Sequence, residues 1–308
     1  MKTTLRRSTL ALALMVLSMA AFAQNVIVDT NKTYSGIKKI EVESGWLNVS
    51  YKGGAGADVN VKAYLESNYN EQDVVFVTVG DVLKITYTKK QNNYNWNSKN
   101  KGHIHITGPE AIALELRGSS GKIAVENVKN ESTVLKVSSG SLSATNVEGN
   151  LSVRASSGNL QISNISGNVD AGVTSGNAEF NSVRGNVNYQ STSGSLDAND
   201  ITGEMNVALT SGNAKMNNIG KLGSLRFTSG NMRANNAGLG ENTHFNGTSG
   251  NFTIQTPSNL KEFNFSLKAS SGNLKVGGIN TGKTLEMENG NGPWVRGSIS
   301  SGNITIVN

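Results

Sequence analysis

The sequence predicts an all-β fold: a single-stranded β-solenoid (β-helix) of 18-residue coils, each made of two nonapeptide halves, with an irregular N-terminal β cap. Three observations lead there. A Ser-Gly step recurs at Gly121, Gly140, Gly158, Gly176, Gly194, Gly212 and Gly230, in strides of 19, 18, 18, 18, 18 and 18 residues, then more loosely at Gly250, Gly272 and Gly302. A fixed period of that size is the signature of a repeat stack, in which each unit buries its apolar face on the next. Within a coil the apolar residues stand two apart, as in Leu160, Ile162 and then Val169, Ala171, Val173 after Gly158; that is the pattern of half-buried strands. A second glycine falls midway, at Gly149, Gly167, Gly185 and Gly203, often with Asn after it, and Gly-Asn pairs suit left-handed corners.

The elements follow in order. Met1 to Arg7 is basic, Leu10 to Phe22 is apolar except for Ser18, and Ala21-Phe22-Ala23 ends the run. Residues 1–23 therefore read as a cleaved secretory signal peptide, too short for a membrane span. Export to the periplasm, the cell surface or the medium is expected. Residues 24–308 read as one domain, with irregular β coils over about 24–105 and regular Ser-Gly coils over about 106–308. Alternation in Ile40–Val42, Leu47–Val49, Val59–Val61 and Leu83–Tyr87 supplies the strands of the cap, as the ends of repeat stacks require. The longest polar loop runs from Lys89 to Gly102. At the other end the chain stops inside a strand, Ile304-Thr305-Ile306, which predicts an open C-terminal edge suited to self-association through residues 294–308.

Composition removes several function classes. The chain has no cysteine, so neither a disulfide scaffold nor a lipid-bearing cysteine is available. Loss of Lys2, Arg6 and Arg7 with the signal takes the net charge from +6 to +3, and no dense basic cluster suggests nucleic acid. A calcium roll would carry G-G-x-G-x-D repeats; the corners here carry Asn or Ser in place of carboxylates. His103, His105 and His244 are the only histidines and show no third ligand for a metal. No catalytic set, cofactor loop or second apolar segment of membrane-spanning length is evident. Glu179 and Asp197, 18 residues apart, would sit on neighbouring coils, but Lys215 follows in the same file and makes it a solvated charge ladder.

Two groups of residues are candidates for binding. Tyr94 and Trp96 lie in the Asn-rich loop, where exposed aromatics beside amides suit sugar rings; packing of one ring on the cap is the competing reading. Thr174, Thr192, Thr210 and Thr228 form an outward file, continued by Thr248 and flanked by Ser138, Ser156 and Ser270. Strand propensity alone would also select threonine there. The serine before each corner glycine is expected to point inward and bond the backbone. A second corner file, Asn127, Asn146, Asn164, Ser182, Asp200, Asn218 and Asn236, is expected to stack as a ladder.

The passage His103 to Pro109, then Leu114 to Ile123, and the later Ser-Ser-Gly-Asn and Thr-Ser-Gly-Asn corners resemble the bacterial putative-adhesin family of unknown function, built on Ser-Gly-Asp/Asn corners. The resemblance covers about residues 36–308 and departs in carrying Asn or Ser where many members have Asp. It implies an exported, envelope-associated protein and brings no catalytic residues. The expected function is non-catalytic: a rod presenting a polar face to a glycan, a matrix or an envelope protein. A periplasmic scaffold that docks partners is the alternative, and a polysaccharide-active enzyme the third reading.

Overall fold

The computed structural model describes residues 25–69, 71–90 and 100–308, so the proposed signal segment lies outside the described residues. Among the described residues, apart from one 3-10 turn at Leu260–Glu262, the regular structure is β, and all strands join one sheet that folds over itself. In the middle of the chain, β9 (Lys122–Ser166), β10 (Val169–Ser175), β11 (Ala178–Val183) and β12 (Val187–Ala237) stack in parallel. The longest of these run straight through corners. Val169 pairs with Leu151 on one side and Val187 on the other; Ala178 pairs likewise with Leu160 and Leu196. Strands running into a Ser-Gly corner form one face of the rod, and strands leaving it form the second.

Alternation decides what is inside. The apolar files of the four central coils are all buried, from Leu142 to Leu209, and the polar exception, Ser191, is buried with them at 7% exposure. Each Val, Leu, Ile or Phe so placed contributes roughly 1.5–3 kcal/mol of transfer free energy. Phe180 and Tyr189 pack edge to face at 5.6 Å in this core. The corners hold the stack in register. All ten glycines of the series from Gly121 to Gly302 have positive φ, from 94° at Gly121 to 151° at Gly140. They also pile into a column so tight that a Cβ on Gly158, Gly176 or Gly194 would lie 1.6–1.8 Å from the carbonyl oxygen of the glycine below.

The serines before these glycines depart from the inward orientation expected. Ser139, Ser157, Ser175, Ser193, Ser211 and Ser229 are exposed. Alternation breaks one residue early: Val173 points in, and Thr174 and Ser175 both point out as the chain swings into the corner.

At the opposite corner Asn127, Asn146, Asn164, Ser182, Asp200, Asn218 and Asn236 all adopt left-handed backbone, with φ between 51° and 59°. Their side chains form a ladder: Asn146 donates to Asn127 Oδ1 at 3.0 Å, Asn164 to Asn146 at 3.1 Å, Asn218 to Asp200 at 2.8 Å and Asn236 to Asn218 at 2.9 Å. Ser182 interrupts it, because its side chain is too short to reach either neighbour and serine tolerates left-handed backbone less well than asparagine. Ser182→Asn is expected to stabilise the fold by about 1 kcal/mol, the net worth of a typical hydrogen bond. A higher urea midpoint at unchanged m-value checks this.

Both ends are woven rather than simply capped. Near the N-terminus, β1 (Asn25–Tyr34), β2 (Lys39–Glu43), β3 (Asn48–Gly54), β4 (Val59–Ser67), β5 (Gln72–Val79), β6 (Val82–Lys89), β7 (Lys101–Pro109) and β8 (Ala113–Gly118) build the first layers. β2 and β3 already stack in parallel, β2 between β6 and β8 and β3 between β7 and β9. β5 closes one face antiparallel to β6; β4 lies antiparallel to β7, and β1 closes the other face antiparallel to β4. At the far end come β13 (His244–Gln255), β14 (Asn264–Ser271), β15 (Leu274–Val276), β16 (Ile279–Thr281), β17 (Thr284–Met287) and β18 (Trp294–Val307).

The order in space there is not the order in sequence. β18 inserts between β13 on one side and β14 and β15 on the other, parallel to all three. Ile304 pairs with both Phe252 and Leu274, and Ile306 with both Ile254 and Val276. The open edge expected at Ile304 and Ile306 is therefore absent: their ladders are satisfied on both sides, and residues 294–308 offer no free strand for self-association. The edges at this end are β16 and β17, antiparallel to β15 and β14.

Candidate functional site

On the face that runs into the Ser-Gly corners, a shallow groove of about 740 Å³ crosses successive coils. Its position follows from the coil. Two outward residues of each strand contribute, and because the coils stack in register, chemically similar residues become files running along the rod. One file is Ser138, Ser156, Thr174, Thr192 and Thr210; the three threonines are exposed. Thr228 is also exposed, one coil further along and beyond the groove lining.

The second file is Arg117, Lys136, Arg154, Gly172, Gln190 and Ala208. Arg117 pairs in register with Lys136, and Gly172 with both Arg154 and Gln190. Small residues at Gly172 and Ala208 keep the floor low, and cations gather at the N-terminal end. Arg154 lies across Gly172, where a Cβ would meet its Cδ at 3.2 Å. Its guanidinium donates to Val153 O at 2.9 Å, to Asp170 O at 2.8 Å and to the Asp170 carboxylate. Arg117 is tied to Glu115, whose carboxyl is held below the usual carboxylate range by that contact. Lys136 is exposed and enters no ion pair among the described residues. The groove thus offers one free cation, two oriented cations and a row of hydroxyls, and an open channel without a deep pocket. The groove is elongated and open along the rod and encloses no small molecule.

Residue by residue, the structure brings Thr174, Thr192 and Thr210 together. Tyr94 and Trp96 lie outside the described residues. The basic file was missed in reading the sequence, although comparing the same position in successive coils (Arg117, Lys136 and Arg154, 19 and 18 residues apart) would have found it.

The remaining candidates are elsewhere. Glu179 pairs in register with Asp197 on the other face, in a groove shared with Lys215 and Arg233. Asn181 donates to Glu179 at 2.8 Å and Asn199 to Asp197 at 3.0 Å, which ties both carboxylates into an asparagine ladder. His103 and His105 project from β7 with ring centroids 4.2 Å apart; His103 stacks on Tyr64 and His105 Nδ1 lies 2.7 Å from Ser50 Oγ. Burial, and then the neighbouring His105, lowers the His103 pKa. Among the described residues no three His, Asp or Glu side chains gather as a metal site, and no helix is long and apolar enough to cross a membrane.

The family model named Toastrack DUF4097 matches residues 37–203 and 186–307. Similar solved structures include a putative adhesin from Bacteroides fragilis, 12% identical over 91% of this chain and 97% of that one, with a TM-score of 0.34. Another is a putative adhesin from Parabacteroides merdae, 14% identical over 91% of this chain and 96% of that one, with a TM-score of 0.27. A third, from Parabacteroides distasonis, is called a putative lipid binding protein; it is 14% identical over 91% of this chain and 97% of that one, with a TM-score of 0.26. No curated protein matches the chain.

Proposed function

Because the chain belongs to the Toastrack DUF4097 family, a putative-adhesin family of unknown function, we propose that it is a non-catalytic, exported β-solenoid that binds a linear, negatively charged glycan along its basic face. In this reading residues 1–23 are a cleaved signal, and residues 24–308 form one domain of 18-residue coils with an irregular N-terminal cap. The observation that carries the proposal is the groove in which Lys136, Arg117 and Arg154 border a file of threonine hydroxyls. Coils rise about 4.8 Å apart, close to the length of one pyranose ring, so successive hydroxyls and cations meet successive sugars. Each contact is weak and exposed; affinity comes from repetition along the polymer.

The test is calorimetric titration with a polyuronate and with a neutral glucan. The polyuronate is expected to bind, with affinity that falls as salt rises. Lys136→Glu removes a charge-assisted contact and adds repulsion, so it is expected to weaken binding about tenfold. Failure of the polyuronate to bind, or indifference to Lys136→Glu, would overturn the reading. Protease treatment of intact cells tests the compartment: digestion puts the rod outside, and protection until the envelope is opened puts it in the periplasm.

A further inference from the structure

Among the described residues four strands close the ends of this rod, and three of them are guarded against pairing with another chain. β1 carries a bulge between Val26 and Val28 and a lysine, Lys32, whose ammonium sits 4.4 Å from the centre of the Phe76 ring. β16 and β17 are only three and four residues long. Bulges, charges and short length are the usual devices that keep edges from pairing. β5 is neither bulged nor short, and its one charge, Asp73, lies at its start, outside the apolar stretch. It is eight residues long and pairs with β6 without a break in register; among the described residues no strand pairs with its other side. Its stretch Val74-Val75-Phe76-Val77-Thr78-Val79 carries no charge and no proline, the composition that drives strand addition.

The surface says the same. All five exposed large hydrophobics among the described residues stand on edge strands, and three of them, Val75, Val77 and Val79, stand on β5 at 39%, 47% and 60% exposure. They share one face, opposite Thr86, Lys84 and Val82 of β6.

We propose that β5 pairs antiparallel with β5 of a second copy of this chain, joining two rods head to head into one continuous sheet. The strand suits itself. Residues facing each other in an antiparallel pair point to the same side of the sheet, so a two-fold axis normal to the sheet must set one residue opposite its own copy. An axis at Phe76 sets Val75 against Val77 of the second copy, and Val77 against Val75. The exposed valines of both copies then form one apolar strip. The single charge on the strand, Asp73, falls opposite Val79 of the second copy, so the two Asp73 carboxylates lie at opposite ends of the pair and do not repel. Lys84, the nearest cation on that face, is already held by Glu41 at 3.1 Å. The same axis maps β1 onto β1 of the second copy, where the bulge and Lys32 prevent pairing, so the joint is a single strand pair. Such a joint is at the small end of stable interfaces, and the dimer dissociates on dilution.

Sedimentation velocity over a concentration series tests this with the purified protein. The mass is expected to rise toward twice the monomer, and Val77→Lys is expected to hold the protein monomeric at every concentration with an unchanged melting midpoint, since Val77 is already half exposed. The absence of native cysteine allows a second, positional test. A mixture of Val75→Cys and Val77→Cys proteins is expected to oxidise to a disulfide-linked dimer, and neither alone to do so. A monomer at all concentrations, or a dimer indifferent to Val77→Lys, would overturn the proposal.

Discussion

Gly176→Ala lowers the stability of the rod by about 3–5 kcal/mol, the sum of forcing a side chain into a glycine-only backbone region and overpacking a site that cannot yield. Gly176 has φ of 142°, and a Cβ there would stand 1.8 Å from the carbonyl oxygen and 2.7 Å from the carbonyl carbon of Gly158. These are backbone atoms, so no rotamer change relieves the clash; the two coils must separate or shift. Gly158 is itself locked against Gly140, and Gly194 against Gly176, so the disturbance spreads along the column. Gly80→Ala is the control. It too has positive φ, 61°, but a Cβ there meets nothing within 4 Å, so only the strain of about 1–2 kcal/mol for a left-handed residue is expected. Urea denaturation of the two variants separates the contributions. Equal losses would mean that the column adds nothing beyond backbone strain.

Deletion of residues 294–308 is expected to collapse the C-terminal third, where loss of a true edge strand would merely trim it. β18 buries Val295, Ile299, Ile304 and Ile306, worth roughly 6–12 kcal/mol at 1.5–3 kcal/mol for each side chain. Its removal also strips the ladder from β13 and from β14 together. Limited proteolysis is expected to cut the truncated protein between residues 256 and 293 under conditions where the full chain resists. A truncated protein with the parent's melting midpoint and digestion pattern would show that β13 and β14 can close directly on each other.

The contrast between these two regions explains what was legible in the sequence. In the central coils every geometric demand is local and recurs: a glycine where the column leaves no room, an Asn where the backbone is left-handed, an apolar residue two positions on. Such demands write themselves into the sequence as a period. At the C-terminus the demand is non-local. The strides from Gly230 to Gly250, Gly272 and Gly302 read as a loosening repeat, whereas the column in space runs Gly250, Gly302, Gly272. The side chains record it: Asn303 donates to Asn251, 52 residues away, and Asn273 N donates to Asn303. Ser-Gly-Asn corners are interchangeable as neighbours, so their spacing alone does not fix their order.

At the N-terminus β2 and β3 stack around another Ser-Gly step, Ser44-Gly45, which stands outside the 18-residue period: Gly45 has φ of 57° and its carbonyl accepts from Ser119 N and Ser120 N. The lining of the candidate groove was half visible. Thr174, Thr192 and Thr210 announce themselves by identity, but Arg117, Lys136 and Arg154 share a file with Gly172, Gln190 and Ala208, and only charge, a property of three coils and not of the repeat, distinguishes them.

The interleaved C-terminus also sets when the molecule can be finished. A solenoid whose strands stack in order of synthesis can fold coil by coil behind the ribosome, each new turn templated on the last. Here β14 and β15 emerge before β18, the strand that must lie between them and β13. A nascent chain ending at residue 293 holds two layers with a gap of one coil between them. Their ladders are completed only when β18 itself has emerged, so the layers on either side of it wait for a strand made after both, and a polypeptide stalled before β18 is left with an open seam in its interior.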